Sequence, residues 1–250
     1  MKSILSLFFV ITLATLFFGT FPVFAEEPEH DHFDIAPYFQ DGKLLTGGLS
    51  HDGDRIDPPI IVYGYEFGED QYDPFNPSDP GVNQSAGVGN LPFGDPIRYN
   101  ILTSLLYWDG TGDVNFRLPA GQTEIVLRMG SKEKILTGSS GSQTGSLIAA
   151  VGAGGTIHEH FTTSLFAGPG MENVPGEPGF VEPAQGIYAF SLELTLDSGG
   201  TLYTSDPLWI IFNHGMDEEI HDAAMEHFVP EPATFTFLGF SGLTLLRRKG

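Results

Sequence analysis

Two pairs of histidines, each separated by one residue, carry the clearest chemistry in this 250-residue sequence. The first pair is His30 and His32, and the second is His158 and His160. On a β-strand, residues i and i+2 point to the same side with Cα atoms about 6.6–6.8 Å apart, so both imidazoles of a pair can reach one ion. Because the chain contains no cysteine, a nitrogen and oxygen site of this type predicts Zn²⁺, with Ni²⁺ or Cu²⁺ as alternatives.

Two further histidines are candidate ligands for the same ion. His51 lies beside acidic residues in a predicted loop, and His214 directly follows a predicted buried strand. The alternative for His214 is to cap the helix that follows it. His221 and His227 are six residues apart and therefore share no i, i+4 ligand face, so we predict that they are packing or solvated residues.

A structural interpretation competes with metal binding for each pair. A His-x-His pair can simply decorate the solvated face of a strand. His30 also lies close to a predicted chain end, where backbone tends to fray.

Two loops look like ligand-binding motifs, but one has the wrong spacing and the other the wrong structural setting. In the loop at residues 69–81, Asp73, Asn76 and Asp79 are three residues apart, which does not match the calcium loop of EF-hands. We therefore predict a proline-rich turn there. The glycines at 152–155 lack the strand-to-helix setting of a nucleotide loop and are predicted to give flexibility before His158.

The sequence does not predict an enzyme, because neither a G-x-S-x-G elbow nor an H-E-x-x-H helix is present in it. One enzymatic alternative is a cupin-like metalloenzyme. Gly152, six positions before His158-Glu159-His160, resembles the start of the cupin pattern. However, no glutamate follows at the expected place, and no second half of the pattern is visible.

The elements that must position the histidines are predicted to be strands. Apolar and polar residues alternate with period two, as in half-buried strands, at residues 114–118, 124–129, 156–166 and 186–196. Residues 60–67 and 208–212 are more continuously apolar, as in strands covered on both faces. Glycine and proline occupy 50 of the 250 positions and separate these runs. Only residues 216–228 have helical spacing, so we predict an all-β, sandwich-like antiparallel domain with one short C-terminal helix.

The N-terminal segment has the pattern of a secretory signal peptide. A single lysine precedes a long apolar run, and Val23-Phe24-Ala25 supplies the small residues that signal peptidase requires. The abrupt acidic run from Glu26 favours cleavage after residue 25, so residues 1–25 are predicted to be removed. The alternative is a retained membrane anchor, since the apolar run is long enough to span.

The C-terminal segment combines three features in a fixed order. Pro-Glu-Pro at residues 230–232 is followed by an apolar stretch at 233–246 and a basic cluster at 247–249. The apolar stretch is shorter than the roughly 17–25 residues of a spanning helix. Together the three features resemble the PEP-CTERM sorting signal. That resemblance implies that an exosortase removes the tail and releases or anchors the product at the envelope of a Gram-negative bacterium.

The intervening residues, 26–229, are predicted to form one mature domain that extends this resemblance. Five of its segments are similar to segments of a group of PEP-CTERM proteins: HDHFDIAPYFQDGKLLTGG, LLYWDGTGDVNF, IHEHFTTSLF, GIYAFSLELTL and SDPLWIIFNHGMDEEIHDAAMEHF. One branch of that group is associated with a zinc-uptake regulator. The resemblance implies an exported protein in the periplasm, on the outer surface or in the extracellular matrix. It also implies a part in metal supply, and it supplies no catalytic residues.

The charge of the mature domain restricts its partners. Residues 26–229 contain 31 acidic and 7 basic residues, a net charge of −24. Such a surface repels nucleic acid and anionic lipid and attracts cations. We therefore expect a divalent cation and the processing peptidases as partners, no nucleic acid, and membrane contact only through the terminal segments before processing.

The sequence thus predicts an exported metal-binding protein that scavenges, buffers or delivers zinc through His30, His32, His51, His158, His160 and His214. The alternative is a structural or adhesive envelope module that binds matrix polysaccharide without a specific metal site. In that case Trp108 and Trp209 would be the candidate sugar platforms, although both also suit a hydrophobic core.

Overall fold

The structure is a computed structural model that describes residues 33–49, 55–56, 59–119 and 122–230. The predicted signal peptide, His30, His32, His51 and the sorting tail from residue 231 onward lie outside the described residues. Among the residues described, no helix is both long and apolar enough to cross a membrane.

The described part of the chain forms fifteen strands and one helix, which confirms the all-β fold with one short C-terminal helix. In chain order the elements are β1 (Asp34–Gln40), β2 (Lys43–Leu49), β3 (Arg55–Ile56), β4 (Val62–Phe67), β5 (Gly81–Gln84), β6 (Pro96–Ile101), β7 (Leu106–Trp108), β8 (Glu124–Met129), β9 (Lys132–Leu136), β10 (Leu147–Ala150), β11 (Ile157–His160), β12 (Thr162–Phe166), β13 (Gly186–Ser198), β14 (Thr201–Thr204), β15 (Leu208–His214) and α1 (Glu218–Phe228).

The strands form three sheets. The first has the order β11-β5-β1-β2-β3, and the third has the order β12-β8-β9. The second has the order β10-β6-β13-β15-β4, with β7 and β14 also paired to β13. Pairing is antiparallel except between β1 and β5 and between β4 and β15, so the predicted antiparallel architecture contains two parallel pairs.

The period-two pattern of β13 explains how the second sheet becomes the centre of the molecule. Tyr188, Phe190 and Leu192 point into the main core, which also contains residues from the other two sheets. Ile187 and Ala189, on the opposite face, join a smaller apolar cluster under α1. Both faces of this sheet are therefore covered, as the continuous apolar runs of β4 and β15 predict.

Helix α1 begins two residues later than the sequence pattern suggested. Asp217 occupies the N-cap position, and Glu218 and Glu219 place negative charge in the first turn, where the helix dipole favours it. The helix buries Ala224 and His221 against the second sheet, so His221 is a packing residue.

Two strand predictions were wrong in detail. At residues 114–118 only Arg117 forms a bridge, to Tyr107, because Val114 and Phe116 pack into the cluster under α1 instead of a sheet. Residues 156–166 form two strands, β11 and β12, in different sheets. The chain changes sheets at Phe161, which is 1% exposed and packs edge-on against Tyr99 in the core.

Candidate metal site

The candidate site lies on the first sheet, where β5 runs between β1 and β11. Gly81 pairs with His160 of β11, and Val82 pairs with Ile35 of β1. Asp34 and His160 therefore flank Gly81 from the two neighbouring strands. A Cβ atom at Gly81 would lie 1.9 Å from Oδ1 of Asp34 and 2.9 Å from Cε1 of His160, so the two side chains meet directly above this glycine.

A third side chain reaches the same place from the loop that enters β5. Asp34, Asp79 and His160 each offer one ligand atom, and these three atoms all lie within 4.8 Å of one another. Both aspartates are half-buried and the histidine is exposed. One imidazole nitrogen and two carboxylate oxygens form a ligand set that suits Zn²⁺ and other first-row divalent ions.

The ligands are oriented by partners around them. Nδ1 of His160 lies 2.9 Å from the carbonyl oxygen of Ser78. A carbonyl can only accept, so Nδ1 must donate in this bond, and the lone pair of Nε2 is then available to an ion. Asn83 donates from Nδ2 to Oδ2 of Asp34 at 3.3 Å.

A buried tyrosine forms the floor beside these carboxylates. Tyr65 is fully buried and donates its hydroxyl to the carbonyl oxygen of Phe33 at 2.9 Å. Burial raises the pKa of Tyr65 well above its ordinary value, and the negative charges of Asp79 and Asp34 contribute in the same direction. The phenol thus remains neutral beside the two carboxylates.

The loop that carries Asp79 is held along β12. The backbone N–H groups of Thr163 and Leu165 donate to the carbonyl oxygens of Pro77 at 2.9 Å and Phe75 at 3.0 Å. The Thr163 hydroxyl also donates to the carbonyl oxygen of Asp79. The position of Asp79 is therefore fixed by the third sheet, while Asp34 and His160 belong to the first.

An acidic pocket of about 350 Å³ adjoins the site and shares Asp79 with it. Of the ten described residues that line it, five are acidic and none is basic. The acidic residues are Glu66, Glu69, Asp70, Asp73 and Asp79. The loop at residues 69–81, predicted to be only a proline-rich turn, thus supplies most of an acidic wall.

The structure separates the predicted histidine ligands. The rings of His158 and His160 lie 5.1 Å apart on one face of β11, which confirms the predicted same-side geometry, but only His160 joins the two aspartates. His214 is buried, with Nδ1 3.1 Å from the carbonyl oxygen of Ala184 and its ring edge-on to Phe75. Among the described residues, His214 belongs to no group of three metal-ligating side chains.

The tryptophans considered as sugar platforms are packing residues. Trp108 is 4% exposed, and the ring of Trp209 stacks on Phe228 of α1 with centroids 4.0 Å apart. Trp108 is therefore a core residue, as its alternative interpretation predicts, whereas Trp209 is half-buried and packs against the cluster under α1.

Sequence reasoning missed two of the three clustered side chains. Asp34 lies two residues after His32 and so continues the alternation of His30 and His32, but the sequence analysis predicts only the histidines as ligands. Asp79 precedes Pro80 and Gly81 in a loop whose spacing does not match the calcium motif. No local pattern connects Asp34, Asp79 and His160, because strand pairing over long sequence distances brings them together.

Comparisons with known proteins add no assignment to this geometry. No family model matches the chain, and the searches of curated proteins and of solved structures found no similar one.

Proposed function

We propose that this protein is an exported, exosortase-sorted envelope protein that binds a divalent metal ion through Asp34, Asp79 and His160. Zinc is the preferred ion. The observation that supports the proposal is the convergence of three ligand atoms within 4.8 Å, from three separate parts of the chain, above a glycine that leaves them room. His158 is an auxiliary residue, 5.1 Å from His160 between ring centroids.

The ligand geometry suits reversible binding. Zinc binds imidazole nitrogen and carboxylate oxygen at about 2.0–2.2 Å, so its tetrahedral ligand atoms lie roughly 3.4 Å apart. Side-chain rotations that move each ligand atom by about one ångström would bring the three atoms to that spacing. Half-buried and exposed side chains have room for such rotations. Three protein ligands leave a position for water or a receiving ligand, which fits scavenging, buffering or delivery better than a closed structural site.

Export and sorting rest on the terminal segments, which lie outside the described residues. The apolar run with its small residues at 23–25 supports cleavage after residue 25, and the Pro-Glu-Pro, apolar and basic order supports removal of the tail. The intact mass of the native protein should correspond to a chain that starts at Glu26 and stops near Pro230. A mature species that retains residues 243–250 would refute the sorting proposal.

Calorimetric titration with zinc tests the metal site on mature protein purified without a histidine tag. The wild type should bind one zinc ion. Asp34→Asn and His160→Ala should each lower the affinity at least tenfold, about 1.4 kcal/mol or more, because each removes one of three ligands. His158→Ala is the matched control on the same strand and should change affinity less than His160→Ala.

Each outcome of this titration has a distinct meaning. If a folded wild type binds no zinc, cobalt, nickel or copper, the metal-binding proposal is wrong. If zinc binds but neither Asp34→Asn nor His160→Ala weakens it, the ion is held elsewhere. Loss of binding in His30→Ala/His32→Ala alone would assign it to the N-terminal pair.

A further inference from the structure

Tyr65 lies outside the ligand group and outside the first sheet, yet its hydroxyl reaches the peptide that carries one of the ligands. It belongs to β4 of the second sheet, and its ring packs on Phe212 of β15 with centroids 5.4 Å apart. The hydroxyl donates to the carbonyl oxygen of Phe33 at 2.9 Å. That carbonyl and the backbone nitrogen of Asp34 belong to one planar peptide unit, so the bond restrains the backbone from which the Asp34 side chain projects.

The bond acts at the end of a strand. Asp34 is the first residue of β1, and its pairing with Leu49 is the terminal pair of the β1–β2 ladder. On the other side, the register pairs Ile35 with Val82 of β5, one residue further along. Backbone at the end of an element opens at a lower free energy than backbone in its middle. A hydrogen bond from a buried side chain of another sheet therefore limits how far Asp34 can move.

A buried tyrosine hydroxyl that bonds to a backbone carbonyl is common in a core. Tyr63 of the same strand does so, with the carbonyl oxygen of Gly47 at 2.8 Å. The bond of Tyr65 differs in what it holds, because its acceptor adjoins a candidate ligand. Its phenol also lies within electrostatic reach of the site: burial is the largest cause of its raised pKa, and the charges of Asp79 and Asp34 are among the smaller causes.

We infer that Tyr65 is a positioning residue of the candidate metal site and that it holds Asp34 in place for the ion through the carbonyl group of Phe33. The inference rests on the proposed function. Tyr65 is not a ligand itself, since its hydroxyl donates to Phe33. A ligand that is already in place loses less conformational freedom when the ion binds, so the affinity is higher. Groups that orient metal ligands in this way are worth about 10–100-fold in affinity.

Tyr65→Phe tests the inference, because it removes the hydroxyl and retains the buried ring. Tyr63→Phe is the matched control, since it removes a similarly buried hydroxyl of the same strand that bonds to Gly47 and Ile60. Both variants should lower the midpoint of urea unfolding by a similar amount, because each loses one hydrogen bond of a buried hydroxyl. Tyr65→Phe should weaken zinc binding about 10-fold, the lower end of the range, since the hydroxyl holds the peptide and not the carboxylate. Tyr63→Phe should bind zinc with the wild-type affinity.

A double variant shows whether the tyrosine acts through Asp34. Asp34→Ala removes the ligand side chain altogether, so adding Tyr65→Phe to it should cost little further affinity. A purely structural role of Tyr65 would give the same fold-loss with and without the Asp34 side chain. That result would overturn the inference.

Two other outcomes of the titrations overturn it as well. One is a folded Tyr65→Phe protein with wild-type zinc affinity, and the other is an equal loss of affinity in Tyr63→Phe. NMR of the wild type with isotope-labelled tyrosine rings needs no substitution: the Tyr65 signal should shift when zinc neutralises the charges near its phenol, and a signal that does not move contradicts the inference. Absence of zinc binding in the wild type would instead refute the proposed function, so the two failures are distinguishable.

Discussion

Gly81→Ala should weaken zinc binding at the candidate site at least tenfold while leaving the fold in place. Gly81 lies in β5 without a positive φ, so alanine is compatible with its backbone conformation. The added Cβ would fall 1.9 Å from Oδ1 and 2.5 Å from Cγ of Asp34, and 2.9 Å from Cε1 of His160. All three atoms belong to side chains on the sheet surface that can rotate away.

The added Cβ would occupy the place where the side chains of Asp34 and His160 meet, which is the place an ion between them would take. To restore even a 3.0 Å contact, Oδ1 of Asp34 must retreat from it by about 1.1 Å. The variant should therefore lose the Asp34 ligand and the Asn83 bond that orients it. We expect zinc affinity to fall by at least 10–100-fold, about 1.4–2.8 kcal/mol, which is the loss seen when an orienting partner of a ligand is removed.

Calorimetry with circular dichroism is the appropriate assay for this variant. Gly168→Ala is the control, because its Cβ would meet its nearest neighbours at an ordinary 3.5 Å, and its φ is not positive either. Both variants should keep the β-sheet spectrum, and only Gly81→Ala should bind zinc more weakly than the wild type. Wild-type affinity in a folded Gly81→Ala protein would show that no ion sits above this glycine.

Two predictions concern stability. Glu124 is 9% exposed, and burial, followed by the charge of Glu133, raises its pKa. A raised pKa in the folded state means that the ionised carboxylate weakens the fold above that pKa and that the penalty disappears as pH falls toward the unfolded value. Glu124→Gln should accordingly raise the midpoint of urea unfolding at neutral pH and lose this advantage at acidic pH; an equal midpoint at neutral pH would contradict it. Phe161→Ala should lower the free energy of unfolding by about 3–5 kcal/mol, whereas Phe93→Ala, at a side chain 75% exposed, should stay within about 0.5 kcal/mol. Comparable losses in the two phenylalanine variants would mean that Phe161 does not hold the sheets together.

Strands could be predicted from the sequence where the alternation of side chains in one continuous segment shows how its two faces are buried. In β13 the alternation of Tyr188, Phe190 and Leu192 with Ile187 and Ala189 reports directly on the two clusters that cover the second sheet. The same logic failed at residues 156–166, because the pattern continues across Phe161 although the chain changes sheets there. A period-two pattern shows which face of a strand is buried, but it does not show which sheet covers that face.

The candidate site was predictable only in part for a related reason. His160 was visible from its spacing to His158, a local property. Asp34 and Asp79 join it through the parallel pairing of β1 with β5 and the bonding of the loop to β12, and such long-range pairings leave no short sequence pattern. The room above Gly81 is likewise a property of three adjacent strands and not of the glycine alone.

The wide spacing of the three ligands along the chain has a consequence for the order of events during biogenesis. Asp34 and His160 are on the order of 400 Å apart in a fully extended chain, and they meet only once β1, β5 and β11 have paired in the first sheet. Under the proposed function, a polypeptide held extended during export would therefore carry no metal ion and would bind one only after folding at its destination. Binding would then stabilise the fold, by about 2.7 kcal/mol when the free ion is at 100 times its Kd. Resistance to proteolysis would accordingly rise and fall with the supply of metal.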